Sequence, residues 1–187
     1  MFSLRNKIER VLLISFVFFL VASNISAEPY KRSLYPHWSD LDSDCQSSRM
    51  EALITESLNP VTFKTDNQCK VLNGWWYGVY SGEFFSVAAQ LDIDHIVPLK
   101  EAHLSGADTW TREQRKAFAN DPDNLLAVKA SENRSKGAKD PGKWLPSDSR
   151  YHCIYVAKWL FVKLKYDLEI DTDEQKAINE VVSVNCQ

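Results

Sequence analysis

Asp94 and His95 stand side by side in the apolar run Leu91-Asp-Ile-Asp-His-Ile-Val97, and two asparagines, Asn124 and Asn133, follow downstream. A hard divalent metal wants oxygen ligands, which Asp94 and Asn133 can supply. A hydrolytic reaction wants a base that titrates near neutrality, which His95 can supply. Taken alone, an Asp at a strand end is usually a surface carboxylate, and a His in an apolar strand is usually held by a backbone carbonyl. Together with Asn133 they read as a metal-assisted site for cutting a phosphodiester. The expected metal is Mg²⁺, with Mn²⁺ as its substitute. Asn124 has two open readings: its amide fixes the His95 ring and tautomer, or it is a turn residue after Pro122-Asp123. Asn133 and Lys136, three residues apart, would share one helix face. Arg134, Lys136 and Lys139 are candidate phosphate contacts, and Lys136 is also the cation expected to steady the transition state.

These groups need elements to position them. Leu91 to Val97 reads as a strand stopped by Pro98, which cannot donate to a ladder. Neighbours in a regular strand point to opposite faces, so Asp94 and His95 share a site only if the strand bends or ends there. A second strand is expected over Leu125 to Val128, after the turn Asn120-Asp-Pro-Asp123. A short helix follows, capped by Ser131 and ended near Gly137. Three further helices have start signals: Ser48 with Glu51, Thr111 with Gln114, and Thr172 with Gln175. Tyr151 to Lys165 carries a wide apolar face at helical spacing.

The N-terminus reads differently. Arg5, Lys7 and Arg10 precede a nearly unbroken apolar run from Val11 to Ala22, and Ile25-Ser26-Ala27 offers a small-residue cleavage site. This three-part pattern is that of a secretory signal peptide over residues 1–27, followed by a single domain over residues 28–187. No stable membrane association is expected after cleavage, and the destination would be the periplasm or the medium. Removing Arg5, Lys7, Arg10 and Glu9 takes the formal net charge of −3 to −5. The four cysteines, Cys45, Cys69, Cys153 and Cys186, fit two disulfides in an exported chain. Three connectivities are open. Order along the chain favours Cys45–Cys69 and Cys153–Cys186, and no CxxC spacing supports a metal site instead.

Charge is unevenly spread. Lys129 to Lys165 holds nine basic residues opposed only by Glu132, Asp140 and Asp148, on an otherwise acidic chain. Such a block can be a phosphate footprint or a solvated helix face. As a footprint it would contact nucleic-acid backbone and read little sequence.

The sequence Asp94-His-Ile-Val-Pro-Leu-Lys-Glu-Ala102, then Asp123-Asn124-Leu-Leu-Ala-Val128 and Asn133-Arg-Ser-Lys-Gly137, resembles the secreted HNH-type endonucleases related to the GmrSD restriction protein's C-terminal domain. The similarity extends to Trp144-Leu-Pro146 and backward to Asp44-Cys45 and Cys69-Lys-Val-Leu, so it covers most of residues 28–187. It implies an α+β fold: a ββα-metal (His-Me finger) core at about residues 88–146, with additional helices and disulfide staples. It also implies His95 as base, Asp94 and Asn133 as metal ligands, and Asn124 as the second polar position of the motif. Asn133 stands where the motif more often has His, which makes an H-N-N variant. His103 replaces an aromatic residue and is expected to be surface or packing, while His37 and His152 have no partner in the motif. The leading expectation is a secreted, metal-dependent, largely nonspecific endonuclease acting on nucleic acid, DNA favoured over RNA. Its rivals are an exported nucleic-acid-binding module that does not cut and a cell-envelope interaction domain.

Overall fold

Each strand of the central pair is buried on both faces. In the computed structural model, which describes residues 28–186, β4 (Leu91–His95) pairs antiparallel with β5 (Leu125–Lys129). The register runs from Leu91 opposite Lys129 to His95 opposite Leu125. Directly paired residues share a face, so Leu91, Ile93, Leu125 and Ala127 point one way, and Asp92, Asp94, Leu126 and Val128 the other. The first face joins Leu53, Trp76 and Phe85 in one apolar cluster, while Leu126 and Val128 join Tyr80, Phe118, Tyr155 and Trp159 in a second. Burial on both sides explains why the strands read as nearly continuous apolar runs. α4 (Ala130–Lys136) follows β5 directly and packs back on both strands.

The remaining elements enclose this strand–strand–helix unit. α1 (Ser48–Thr55) and an antiparallel sheet, β1 (Thr62–Phe63), β2 (Val71–Gly78) and β3 (Glu83–Val87), cover the first face. α2 (Leu99–Leu104) and α3 (Arg112–Ala119) fill the excursion between β4 and β5. α5 (His152–Lys165) and α6 (Thr172–Asn185) pack together beyond the second face. The fold is α+β. The cysteines pair as the chain order suggests. Cys45–Cys69 ties the loop before α1 to the approach to β2, and Cys153–Cys186 ties α5 to the end of α6. The expected signal peptide, residues 1–27, lies outside the described residues.

Several local expectations change. Thr111 and Gln114 do form a capping box at α3. Ser48 does not cap α1: the N-cap is Ser47, and the Ser48 hydroxyl donates to Asn120 Oδ1 at 2.7 Å. α6 is capped by Asp171, not Thr172, because the Asp171 carboxylate accepts from the backbone N–H groups of Asp173 and Glu174. Ser131 lies inside α4, whose N-cap, Lys129, makes no side-chain cap bond. β1 to β3 and α2 had no counterpart in the sequence reading. β2 carries Asn73-Gly74 mid-strand and its pairing with β3 shifts register between Asn73 and Trp76, which breaks the alternation that marks a strand. Gly74 is required there: a Cβ would lie 2.6 Å from the Trp76 ring.

Candidate active site

β4 ends at His95, and the chain beyond it is held by Asn124, the residue just before β5. Ile96 N–H donates to the Asn124 carbonyl at 2.8 Å, and Val97 N–H donates to Asn124 Oδ1 at 2.8 Å. Asn124 Nδ2 returns a bond to the Val97 carbonyl at 3.3 Å. The end of the strand lets Asp94 and His95, on opposite faces of the pleat, line one small cleft with Asn133, Gly137 and Arg32. The cleft encloses about 70 Å³, room for a few water molecules.

His95 is buried, and its Nε2 lies 2.9 Å from the Ala119 carbonyl. A carbonyl can only accept, so Nε2 carries the proton and Nδ1 keeps its lone pair. No hydrogen-bond partner for Nδ1 occurs among the described residues. Burial lowers the His95 pKa to about 3, and the Arg32 and Lys136 cations and His37 add to the fall. The imidazole is therefore neutral at physiological pH, but the expected titration near neutrality is not met, because burial makes the ring a weaker base than a free imidazole. The Trp38 ring lies over it with centroids 5.2 Å apart, and the His37 ring is 6.5 Å away.

Asp94 is 3 % exposed and accepts three bonds. Lys136 Nζ lies 2.9 Å from its Oδ1 and 2.7 Å from its Oδ2, and Tyr80 Oη donates to Oδ2 at 2.8 Å. Burial raises the Asp94 pKa, and the Lys136 charge opposes that rise; burial likewise lowers Lys136. Lys136 Nζ also donates to the His95 carbonyl at 2.7 Å, so its three donors are all used inside the protein.

Asn133 Nδ2 donates to Asp92 Oδ2 at 3.3 Å, which leaves its Oδ1 without a protein partner among the described residues. Asp94 Oδ1 accepts one bond and retains a lone pair. Asp94 and Asn133 both line the small polar cleft, and these two oxygens are the atoms there that could hold a hard divalent ion. The other group of ligand-type residues among those described, Asp40, Asp42 and Asp44, is exposed on a surface loop. A larger cleft of about 450 Å³ lies beside the Cys45–Cys69 disulfide, but neither a carboxylate nor an imidazole lines it.

Four of the expected site residues sit differently from expectation. Asn124 does not touch the His95 ring; it is wholly buried and braces the Val97 backbone. Lys136 is wholly buried in its ion pair and cannot reach a phosphate, because the charge of Asp94 at the strand end must be neutralised. Arg134 is exposed but lies 3.7 Å from Asp92, and Lys139 is exposed with its Nζ on the Ser135 carbonyl at 2.8 Å. The basic block is largely neutralised. Seven of its nine cations lie within 4 Å of a carboxylate, Lys139 and Lys158 being the exceptions among the described residues. His103 is 3 % exposed and packs as a bridge between Tyr35 Oη and the Glu28 carbonyl. Sequence reasoning missed Arg32, Asp92 and Tyr80. Asp92 had a signal, the i, i+2 spacing that puts it on the face of Asp94; the other two had none.

At this strand end of an α+β domain, a neutral imidazole whose Nδ1 has no partner among the described residues lies beside a carboxylate and a carboxamide. The chain matches the family described as GmrSD restriction endonucleases, C-terminal domain, over residues 31–181, and it belongs to that family. That membership suggests a nuclease-like role and contact with nucleic acid. The chain is also 36 % identical over 156 residues to a protein of Arthroderma benhamiae named only as an uncharacterized secreted protein, covering 82 % of this chain and 74 % of that relative. No solved structure matches. No helix among the described residues is long and apolar enough to cross a membrane.

Proposed function

We propose that this protein is an exported, metal-dependent endonuclease that hydrolyses phosphodiester bonds of nucleic acid, DNA before RNA, with little sequence preference. The observation that carries the reading is the setting of His95: a buried, neutral imidazole that lines the cleft shared with Asp94 and Asn133, with Nε2 held by Ala119 and no partner for Nδ1 among the described residues. A buried His kept only for packing would be expected to have both nitrogens satisfied by protein. In this reading β4, β5 and α4 form a ββα-metal core within one HNH-type domain over residues 28–187.

The chemistry follows from the positions. Asp94 Oδ1 and Asn133 Oδ1 would hold Mg²⁺, with Mn²⁺ as substitute. A divalent ion supplies Lewis-acid stabilisation of the charge that builds on the scissile phosphate. His95 Nδ1 takes the proton of a water whose oxygen attacks phosphorus, and the bond to the leaving sugar oxygen breaks. Ala119 holds the other ring nitrogen, which fixes the tautomer that can act as base. Lys136 and Tyr80 hold the Asp94 carboxylate in place. Asn124 acts at one remove, by fixing the turn that ends β4.

Export rests on the signal-peptide pattern of residues 1–27, on two disulfides in a chain without free cysteine among the described residues, and on the secreted relative. The test is cleavage of plasmid DNA by the purified protein. Cutting should require a divalent metal and stop in EDTA, and retention of labelled DNA without cutting would instead mark a binding module.

A further inference from the structure

We propose that Arg32 is the residue that grips the substrate phosphate in the His95 cleft. The inference rests on the nuclease reading and names a contact that reading lacks. The cations expected to serve are engaged elsewhere: Lys136 is buried against Asp94, Arg134 is drawn to Asp92, and Lys139 lies on a backbone carbonyl. Arg32 lines the cleft together with Asp94, His95 and Asn133. It is exposed, its guanidinium meets the neutral Tyr30 hydroxyl, and no carboxylate lies within ion-pair distance of it among the described residues. A guanidinium presents a planar fork of donors that matches two phosphate oxygens, which a lysine ammonium does not.

The segment that carries Arg32 is built into the protein. Arg32 opens a single 3-10 turn, Arg32–Leu34. His103 ties the two ends of this turn together: Tyr35, fully buried after it, donates to His103 Nδ1 at 3.0 Å, and His103 Nε2 donates to the carbonyl of Glu28 before it at 2.6 Å. Directly after Tyr35, Asn120 clamps the chain twice: its Nδ2 donates to the Pro36 carbonyl at 2.6 Å, and its Oδ1 accepts from Ser39 N–H at 2.8 Å. Trp38 then lies over the His95 ring. The strap thus shields one side of the base and holds a guanidinium at the cleft, so both effects depend on residues far upstream of the motif.

The test compares wild type, Arg32→Ala, Arg32→Lys and the neighbouring control Lys31→Ala in two assays. The first is cleavage of a short DNA duplex with Mg²⁺. The second is fluorescence-anisotropy binding of the same duplex, fluorescein-labelled, in EDTA at several salt concentrations. Loss of one charge-assisted contact should lower kcat/KM of Arg32→Ala by about 10- to 100-fold. The salt slope of its binding should fall by about one. Arg32→Lys should recover the salt slope but only part of the rate, and Lys31→Ala should behave as wild type. A wild type that cuts, with Arg32→Ala matching it in rate and salt slope, overturns the proposal and leaves the nuclease reading standing. A wild type that binds DNA through Arg32 but never cuts overturns the nuclease reading and leaves the phosphate contact. A wild type that neither binds nor cuts overturns both.

Discussion

Replacing Lys136 should damage the fold before it damages any substrate contact. The ammonium is wholly buried and gives all three donors to Asp94 and the His95 carbonyl. In Lys136→Met a methionine of similar length fills the space, and the Asp94 carboxylate is left buried beside Tyr80 without a counter-charge. Breaking one side of a buried pair costs about 3–5 kcal/mol. For a domain of this size each kcal/mol moves Tm by about 2–4 °C, so the variant should melt roughly 6–20 °C lower. The assay is urea unfolding followed by tryptophan fluorescence, with unchanged m. Acid should relieve the defect. Without Lys136 the folded-state pKa of Asp94 rises further above its unfolded value. A carboxyl raised in this way destabilises at high pH, and the penalty fades as pH falls through the folded pKa. The double variant Asp94→Asn, Lys136→Met removes both charges and should recover much of the loss. A Lys136→Met protein less than about 1 kcal/mol destabilised yet unable to bind DNA would refute this reasoning, since lost substrate binding without lost stability is the signature of a free surface cation.

His95 makes stability depend on pH in a definite direction. Its folded pKa of about 3 lies below the usual 6.5, so the unfolded chain binds the proton first and stability falls as pH drops below 6.5. The group's share of that loss approaches roughly 4–5 kcal/mol at pH 3. His95→Gln should flatten the urea midpoint between pH 6.5 and 4, and an unchanged slope would contradict the burial of a neutral ring. Asn124→Ala removes two bonds to Val97 and leaves a buried N–H unpaired, at a cost of about 1–3 kcal/mol. If Asn124 braces the backbone and not the ring, unfolding measurements will register that loss, and the pH profile of cleavage will keep its shape.

What the sequence made legible follows from what periodicity and spacing encode. β4 and β5 announced themselves because burial on both faces leaves an apolar run, and Asp94 and His95 stood out as polar residues within it. The cysteine pairing followed chain order because each bridge closes a local unit. Burial of charge was not legible: Lys136 has the spacing of a surface cation beside Asn133, and only the packing of α4 on β4 shows that its partner is Asp94. Asn124 kept two readings open because an amide's partner is set by the turn that presents it, here toward Val97. The basic block misled for the same reason, since its opposing carboxylates, among them Glu83, Asp92, Glu101 and Asp121, lie outside it in the chain. Arg32 had no local signal, because the bonds from His103 and Asn120 that place its strap span the fold.

The most direct test of the account is digestion of supercoiled plasmid by the purified wild type and by His95→Ala, each with Mg²⁺ and with EDTA. The account predicts nicking and linearisation by wild type in Mg²⁺, none in EDTA, and a rate for folded His95→Ala lower by about 10²- to 10⁴-fold, the range for a positioned general base. Cutting by His95→Ala at the wild-type rate, or equal cutting in EDTA, would contradict it.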